Sequence, residues 1–174
     1  MQADFAKHVD VLGFRDGRLA LLWQRLIELD ISNPQTILNV VSDPVADVDG
    51  DKKLEVLINT YNVSGDHRWH LTVHDGITGI VKADLMDECL QSLVDLDGDG
   101  ICELLTIRAE QGWIPARGTI QVHSMKRGKH QVLWQRENAA WEDCHSPPPL
   151  KVNSAAIHPD RDALHRRVHN QMCS

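Results

Sequence analysis

Positive charge, long apolar runs and closely spaced cysteine pairs are scarce in this chain, and each scarcity excludes a class of protein. Eighteen Lys and Arg face 25 Asp and Glu, giving a formal net charge of −7. No cationic surplus exists to displace counterions from phosphate, which excludes a general nucleic-acid binder. The longest apolar runs, such as Leu19–Trp23, fall far short of the roughly 20 residues needed to cross a bilayer. Cys89, Cys102, Cys144 and Cys173 show no C-x-x-C spacing, so they outline neither a zinc site nor a disulfide framework. Buried free thiols are the expectation, with a Cys89–Cys102 bridge as the alternative. The opening residues MQADFAKHVD lack a basic segment followed by an apolar one, so no secretory signal is read in the chain as given. No G-x-S-x-G, Walker or G-x-G-x-x-G motif occurs. At 174 residues the first expectation is a single core.

The acids that are present are concentrated. Asp47, Asp49, Asp51 and Glu55 fall in DVDGDKKLE, and Asp95, Asp97, Asp99 and Glu103 fall in DLDGDGICE. Carboxylates at every second position of a short loop repel one another unless a hard cation gathers them, and calcium wants about six to eight oxygens. In each nonapeptide positions 1, 3, 5 and 9 supply side-chain oxygens and position 7, Lys53 or Ile101, a backbone carbonyl. Gly50 and Gly98 at position 4 let the chain turn tightly. An EF-hand would place a bidentate Glu at position 12 and a helix after it. Here position 12 is Ile58 or Thr106, and the following LEVLINTY and CELLTIRA read as strands. Each acidic loop is therefore expected at the tip of a β-hairpin.

A repeat lies behind the loops. Asp47 and Asp95 are 48 positions apart, and LTVHDGITGIV recurs as IQVHSMKRGKHQVLW with His74 and His123 separated by 49. A third copy, VDVLGFRDGRLALLW, ends in the Leu22–Arg25 tetrapeptide that reappears at Leu133–Arg136. Four short strands at a period in the high forties indicate a propeller blade. The expected strands are 44–48, 54–61, 69–75 and 78–83 in one unit, and 91–96, 101–107, 118–124 and 131–136 in the next. Residues 10–25 supply only the last two strands of a preceding blade. The reading is thus all-β: an incomplete β-propeller of about two four-stranded antiparallel blades plus an N-terminal hairpin. It occupies residues 1–145, with a Pro-led, basic, His-containing tail over 146–174.

DVDGDKKLEVLI and DLDGDGICELLTI resemble the calcium loops of FG-GAP or VCBS-type repeats, the blades of integrin-α-like propellers. The resemblance spans roughly residues 10–136. It implies two Ca²⁺ sites, with ligands Asp47, Asp49, Asp51, Glu55 and the Lys53 carbonyl in one, and Asp95, Asp97, Asp99, Glu103 and the Ile101 carbonyl in the other. Lys52 stands where the second loop has Gly100. A Cβ there disfavours left-handed backbone, and Lys52 and Lys53 add positive charge, so the 95–103 loop is expected to bind more strongly.

In a meander the remaining connectors share the face opposite these loops. That face is expected to carry Tyr61, His67, Arg68, Arg108, Trp113 and Arg117, aromatics among arginines that suit a protein or carbohydrate ligand; the competing reading has Trp113 covering the edge of the core. Trp23 and Trp134 are expected to pack between blades, and His74 and His123 to bond locally. His145, His158, His165 and His169 are read as part of a solvated tail. The expected role is a structural and interaction module in an extracellular or periplasmic setting. The rival class is part of a propeller-type polysaccharide lyase. Closed propellers need four to eight blades, so the expectation is that the chain is a fragment or that further blades from another chain, or self-association, cover its blade faces.

Overall fold

The computed structural model describes residues 7–28, 35–109 and 117–140. Within these residues eleven strands form three antiparallel sheets, and none of the three closes into a barrel. The first is a hairpin of β1 (Lys7–Arg15) and β2 (Arg18–Glu28). The second contains β3 (Thr36–Asn39), β4 (Val45–Ala46), β5 (Glu55–Asn62), β6 (Trp69–Asp75) and β7 (Val81–Met86). The third contains β8 (Glu88–Val94), β9 (Glu103–Arg108), β10 (Arg117–Ser124) and β11 (Gln131–Ala140). In the second and third, successive strands pair as meanders, so the described residues form the all-β, incomplete propeller that the repeat implies: a hairpin followed by two blades.

Several boundaries differ from expectation, three of them for an evident local reason. The innermost strand of the first blade is split: β3 and β4 both pair with β5, because Ser42-Asp43-Pro44 lies between them and Pro44 has no N–H to donate. Pro44 still contributes its carbonyl, which accepts from the Leu57 amide at 2.8 Å. Strand β7 begins at Val81 rather than 78. The Asp75 carboxylate accepts from the Ile77 and Thr78 amides and the Thr78 hydroxyl, holding those residues in the turn. Gly79 completes that turn at φ +72, and a Cβ there would lie 2.7 Å from the Trp23 ring. Strand β8 starts at Glu88, one residue past β7, because Asp87 reverses the chain in a left-handed conformation (φ 68).

The repeat extends to the irregularities. Each outer strand pair carries a register shift just after an equivalent valine, at Val11, Val73 and Val122. Opposite those valines stand Trp23, Ala83 and Trp134. Trp23 packs as expected between hairpin and blade. Its ring stacks on His74 with centroids 5.4 Å apart, and its Nε1 donates to the Gly76 carbonyl at 3.1 Å.

Burial holds the sheets face to face. One cluster joins Val48, Leu57, Leu71, Val73 and Leu85 of the first blade to Leu90, Leu104 and Met125 of the second. The opposite face of the second blade carries Leu96, Leu105, Ile107, Ile120, Val122 and Trp134. A polar stitch crosses the same interface. The Asn59 side chain donates to the Glu88 carbonyl and accepts from the Leu90 amide, both at 2.9 Å, so an amide of one blade pairs with the backbone of the next. Cys89 and Cys102 are free thiols rather than a bridge.

Leu104 is fully buried between the blades. Leu104→Ala is expected to cost about 2–5 kcal/mol, whereas Phe14→Ala on the exposed hairpin face should change stability by less than about 0.5 kcal/mol. Urea denaturation checks the contrast, and equal midpoints would contradict the inter-blade core.

Candidate metal centres at the blade tips

Both acidic nonapeptides link an inner strand to β5 or β9, the position expected for a hairpin tip. Their internal hydrogen bonds repeat residue for residue. Asp47 accepts from the Gly50 amide at 2.7 Å and the Lys52 amide at 2.9 Å. Asp95 does the same from Gly98 at 2.6 Å and Gly100 at 2.9 Å. Asp49 and Asp51 accept from the amides two residues on, as do Asp97 and Asp99. The closing glutamates are buried at the foot of each loop, Glu55 at 0% and Glu103 at 2% exposure. Each turns one oxygen back to the chain: Glu55 Oε2 accepts from the Val48 amide at 3.0 Å, Glu103 Oε2 from Leu96 at 3.1 Å.

What remains of each set points inward. Ligand oxygens of Asp47, Asp49 and Glu55 lie within 4.8 Å of one another, as do those of Asp95, Asp97 and Asp99, and either cluster can hold a metal ion. A cation already sits there, and it belongs to the protein. Lys82 Nζ lies 2.8 Å from Asp49 Oδ2, 3.3 Å from Asp51 Oδ2 and 2.7 Å from Glu55 Oε1. Lys126 Nζ lies 3.0 Å from Asp97 Oδ2, 2.7 Å from Asp99 Oδ2 and 3.2 Å from Glu103 Oε1. Burial works against both ammonium groups, but the carboxylates more than offset it and hold both lysines above the ordinary lysine range. Burial raises the Glu103 carboxyl above its ordinary value. The Lys53 amide lowers Asp51.

The two loops also touch. The Asp47 carbonyl accepts from the Cys102 amide, and the Asp49 carbonyl from the Arg127 amide, both at 2.8 Å. The departure noted at Lys52 is visible in the backbone: Lys52 takes φ 67 where Gly100 takes φ 86, so both loops need a left-handed residue there.

The opposite end gathers some of the expected ligand-face residues and not others. Arg68 and Asp87 form a two-pronged ion pair, with Nε donating to Oδ1 at 2.8 Å, which ties the β5–β6 connector to the β7–β8 turn. The Ala109 amide reaches the Asp87 carbonyl at 2.8 Å, bringing neighbouring Arg108, which is exposed, to the same end. His67 sits in the connector at φ 57. Tyr61 does not face outward: it is buried against Trp69 and Cys89, because its strand position points into the stack. Arg117 begins β10. Trp113, the Arg117 side chain and the 146–174 tail with its histidines lie outside the described residues. His74 bonds locally to the Gly79 carbonyl and the Thr72 hydroxyl, but its Nε2 also lies 2.8 Å from Arg25 Nη1 of the hairpin; His123 bonds to nearby His130 and, on the neighbouring strand, Thr106. Sequence reasoning missed Lys82 and Lys126, because nothing local marks a lysine that folds back onto a loop some thirty residues earlier.

No protein-family model, curated protein or solved structure matches the chain.

Relieving the left-handed lysine with Lys52→Gly should stabilise the protein by up to about 1 kcal/mol, read from the denaturation midpoint; a loss would contradict the strain. A separate test concerns His70, set between Asp66 (3.0 Å) and Asp84 (3.1 Å) beside a cavity of about 260 Å³. Burial disfavours its charged form, but the two carboxylates prevail and raise its pKa above 6.5. Its stabilising contribution is therefore full below the ordinary value and lost as pH rises through the raised one. In an NMR titration Asp84→Asn should bring the His70 midpoint down; an unmoved midpoint would contradict the assignment.

Proposed function

We infer that this chain is a calcium-binding β-propeller repeat segment with a structural and interaction role, of the FG-GAP/VCBS kind that its loops resemble. The observation that carries the reading is the duplication: two consecutive blades present the same acidic tip, with matched hydrogen bonds and inward-facing carboxylate oxygens. The donor set fits the ion. Calcium takes oxygen ligands, tolerates irregular geometry and is favoured by several carboxylates, and each loop offers three aspartates and a buried glutamate. Asp47, Asp49, Asp51 and Glu55, with the Lys53 carbonyl, would hold one ion; Asp95, Asp97, Asp99 and Glu103, with the Ile101 carbonyl, the other. When bound, the ion supplies charge neutralisation at the tip and so couples metal binding to folding.

The two-glycine turn of the second loop makes it the stronger site. Calcium loops of low rigidity suit the millimolar calcium found outside cells, which favours an extracellular or periplasmic setting. The opposite end, with Arg68 and Arg108, would meet a protein or carbohydrate partner.

Calcium is expected to raise the melting temperature, and Asp97→Ala to abolish more of that gain than Asp49→Ala. Differential scanning calorimetry in calcium and in chelator checks this, and identical melting in the two would overturn the reading.

A further inference from the structure

We propose that Lys82 and Lys126 are built-in counter-cations that hold the two ion positions, and that calcium enters each loop only by displacing the ammonium group. The inference rests on the calcium reading above and adds the residue that competes with the ion.

Three observations carry it. First, each ammonium touches the inward oxygens of three acids at 2.7–3.3 Å, and those oxygens belong to positions 3, 5 and 9 in both loops. Three donors on a tetrahedral nitrogen match three acceptors. Second, both lysines lie in the hairpin of the last two strands of their blade, but at different positions. Lys82 is the second residue of β7, whereas Lys126 lies in the turn between β10 and β11. In the 49-residue register of His74 and His123, Lys82 matches Gln131 rather than Lys126, so two neighbouring but non-equivalent positions deliver the same charge to the same spot. Third, Glu55 and Glu103 are buried, and a buried carboxylate without a positive partner is costly. The lysine supplies that partner when no metal does.

Occupancy by lysine and by calcium is mutually exclusive on geometric grounds. Calcium sits about 2.3–2.6 Å from its oxygens, and the ammonium already lies against the same atoms. Two cations sharing them would repel strongly in a partly buried site. Calcium wins by charge, since one ammonium leaves most of each four-acid loop unneutralised. The lysine stem is flexible enough to carry its head out to water. Its presence lowers the apparent calcium affinity and keeps the tip folded when calcium is scarce.

The test uses the full chain. Amine acetylation of the wild-type protein, read by mass spectrometry, should find Lys82 and Lys126 protected in chelator and reactive in saturating calcium, while Lys7 and Lys129 stay constant. By isothermal titration with calcium chloride, Lys82→Met and Lys126→Met should each tighten one site by about tenfold, the scale of a charge-assisted hydrogen bond. Both should melt lower than wild type in chelator. If the wild type binds calcium but neither affinity nor acetylation changes, the displacement is overturned and the calcium reading survives. If neither wild type nor variants bind, both fall. If only the variants bind, lysine occupancy stands and calcium binding by the native loops is overturned. The wild-type acetylation pattern decides the matter even where a methionine variant fails to fold.

Discussion

A carboxylate buried at the foot of each blade tip is the constraint around which the rest of the structure is arranged. Glu55 and Glu103 open the second strand of their blades and are almost wholly removed from water. Such a group must be hydrogen-bonded and must face positive charge, or it costs several kcal/mol. One oxygen meets the first condition by accepting a backbone amide seven residues earlier, which fixes the span of the loop. The other meets the second by facing a lysine. The remaining aspartates fill their outer lone pairs with the loop's own amides, leaving a ring of oxygens that only a cation completes.

Loop and sheet stack are therefore one mechanical unit. The first loop is tied to the second blade through the Asp47 and Asp49 carbonyls, and Arg127, which holds the latter, adjoins Lys126. A change of counter-ion in one tip acts on backbone that the other tip leans against. At the opposite end Asp87, Arg68 and the Ala109 amide pin the crossing between blades, and Asn59 joins them midway. Apolar burial supplies the bulk of the inter-blade attraction; these polar contacts set the register at which it is made.

Much of the fold was legible because strand periodicity and repetition are local properties. The 48-residue spacing of Asp47 and Asp95 located both blades, and the β6, β9, β10 and β11 expectations fall on the observed strands to within a few residues. Strand β3 was missed because four residues, TILN, followed by a Pro-containing bend carry too little pattern to announce a strand; it exists because β5 offers it an edge. Tyr61 was misjudged for a related reason. Strand alternation assigns a face only once the neighbouring sheet is known, and here that neighbour buries the ring.

By itself, then, the sequence determined the blade architecture, the two acidic tips, the turn glycines and the departure at Lys52 from the glycine of the second loop, since each depends on residues within a few positions of one another. Tertiary structure alone decided which cation faces those tips, which arginine is spent on an aspartate, and which asparagine stitches the blades. Those pairings join residues 19 to 33 positions apart. Charge complementarity at such separations leaves no period to read in the chain, and it appears only when the sheets have stacked.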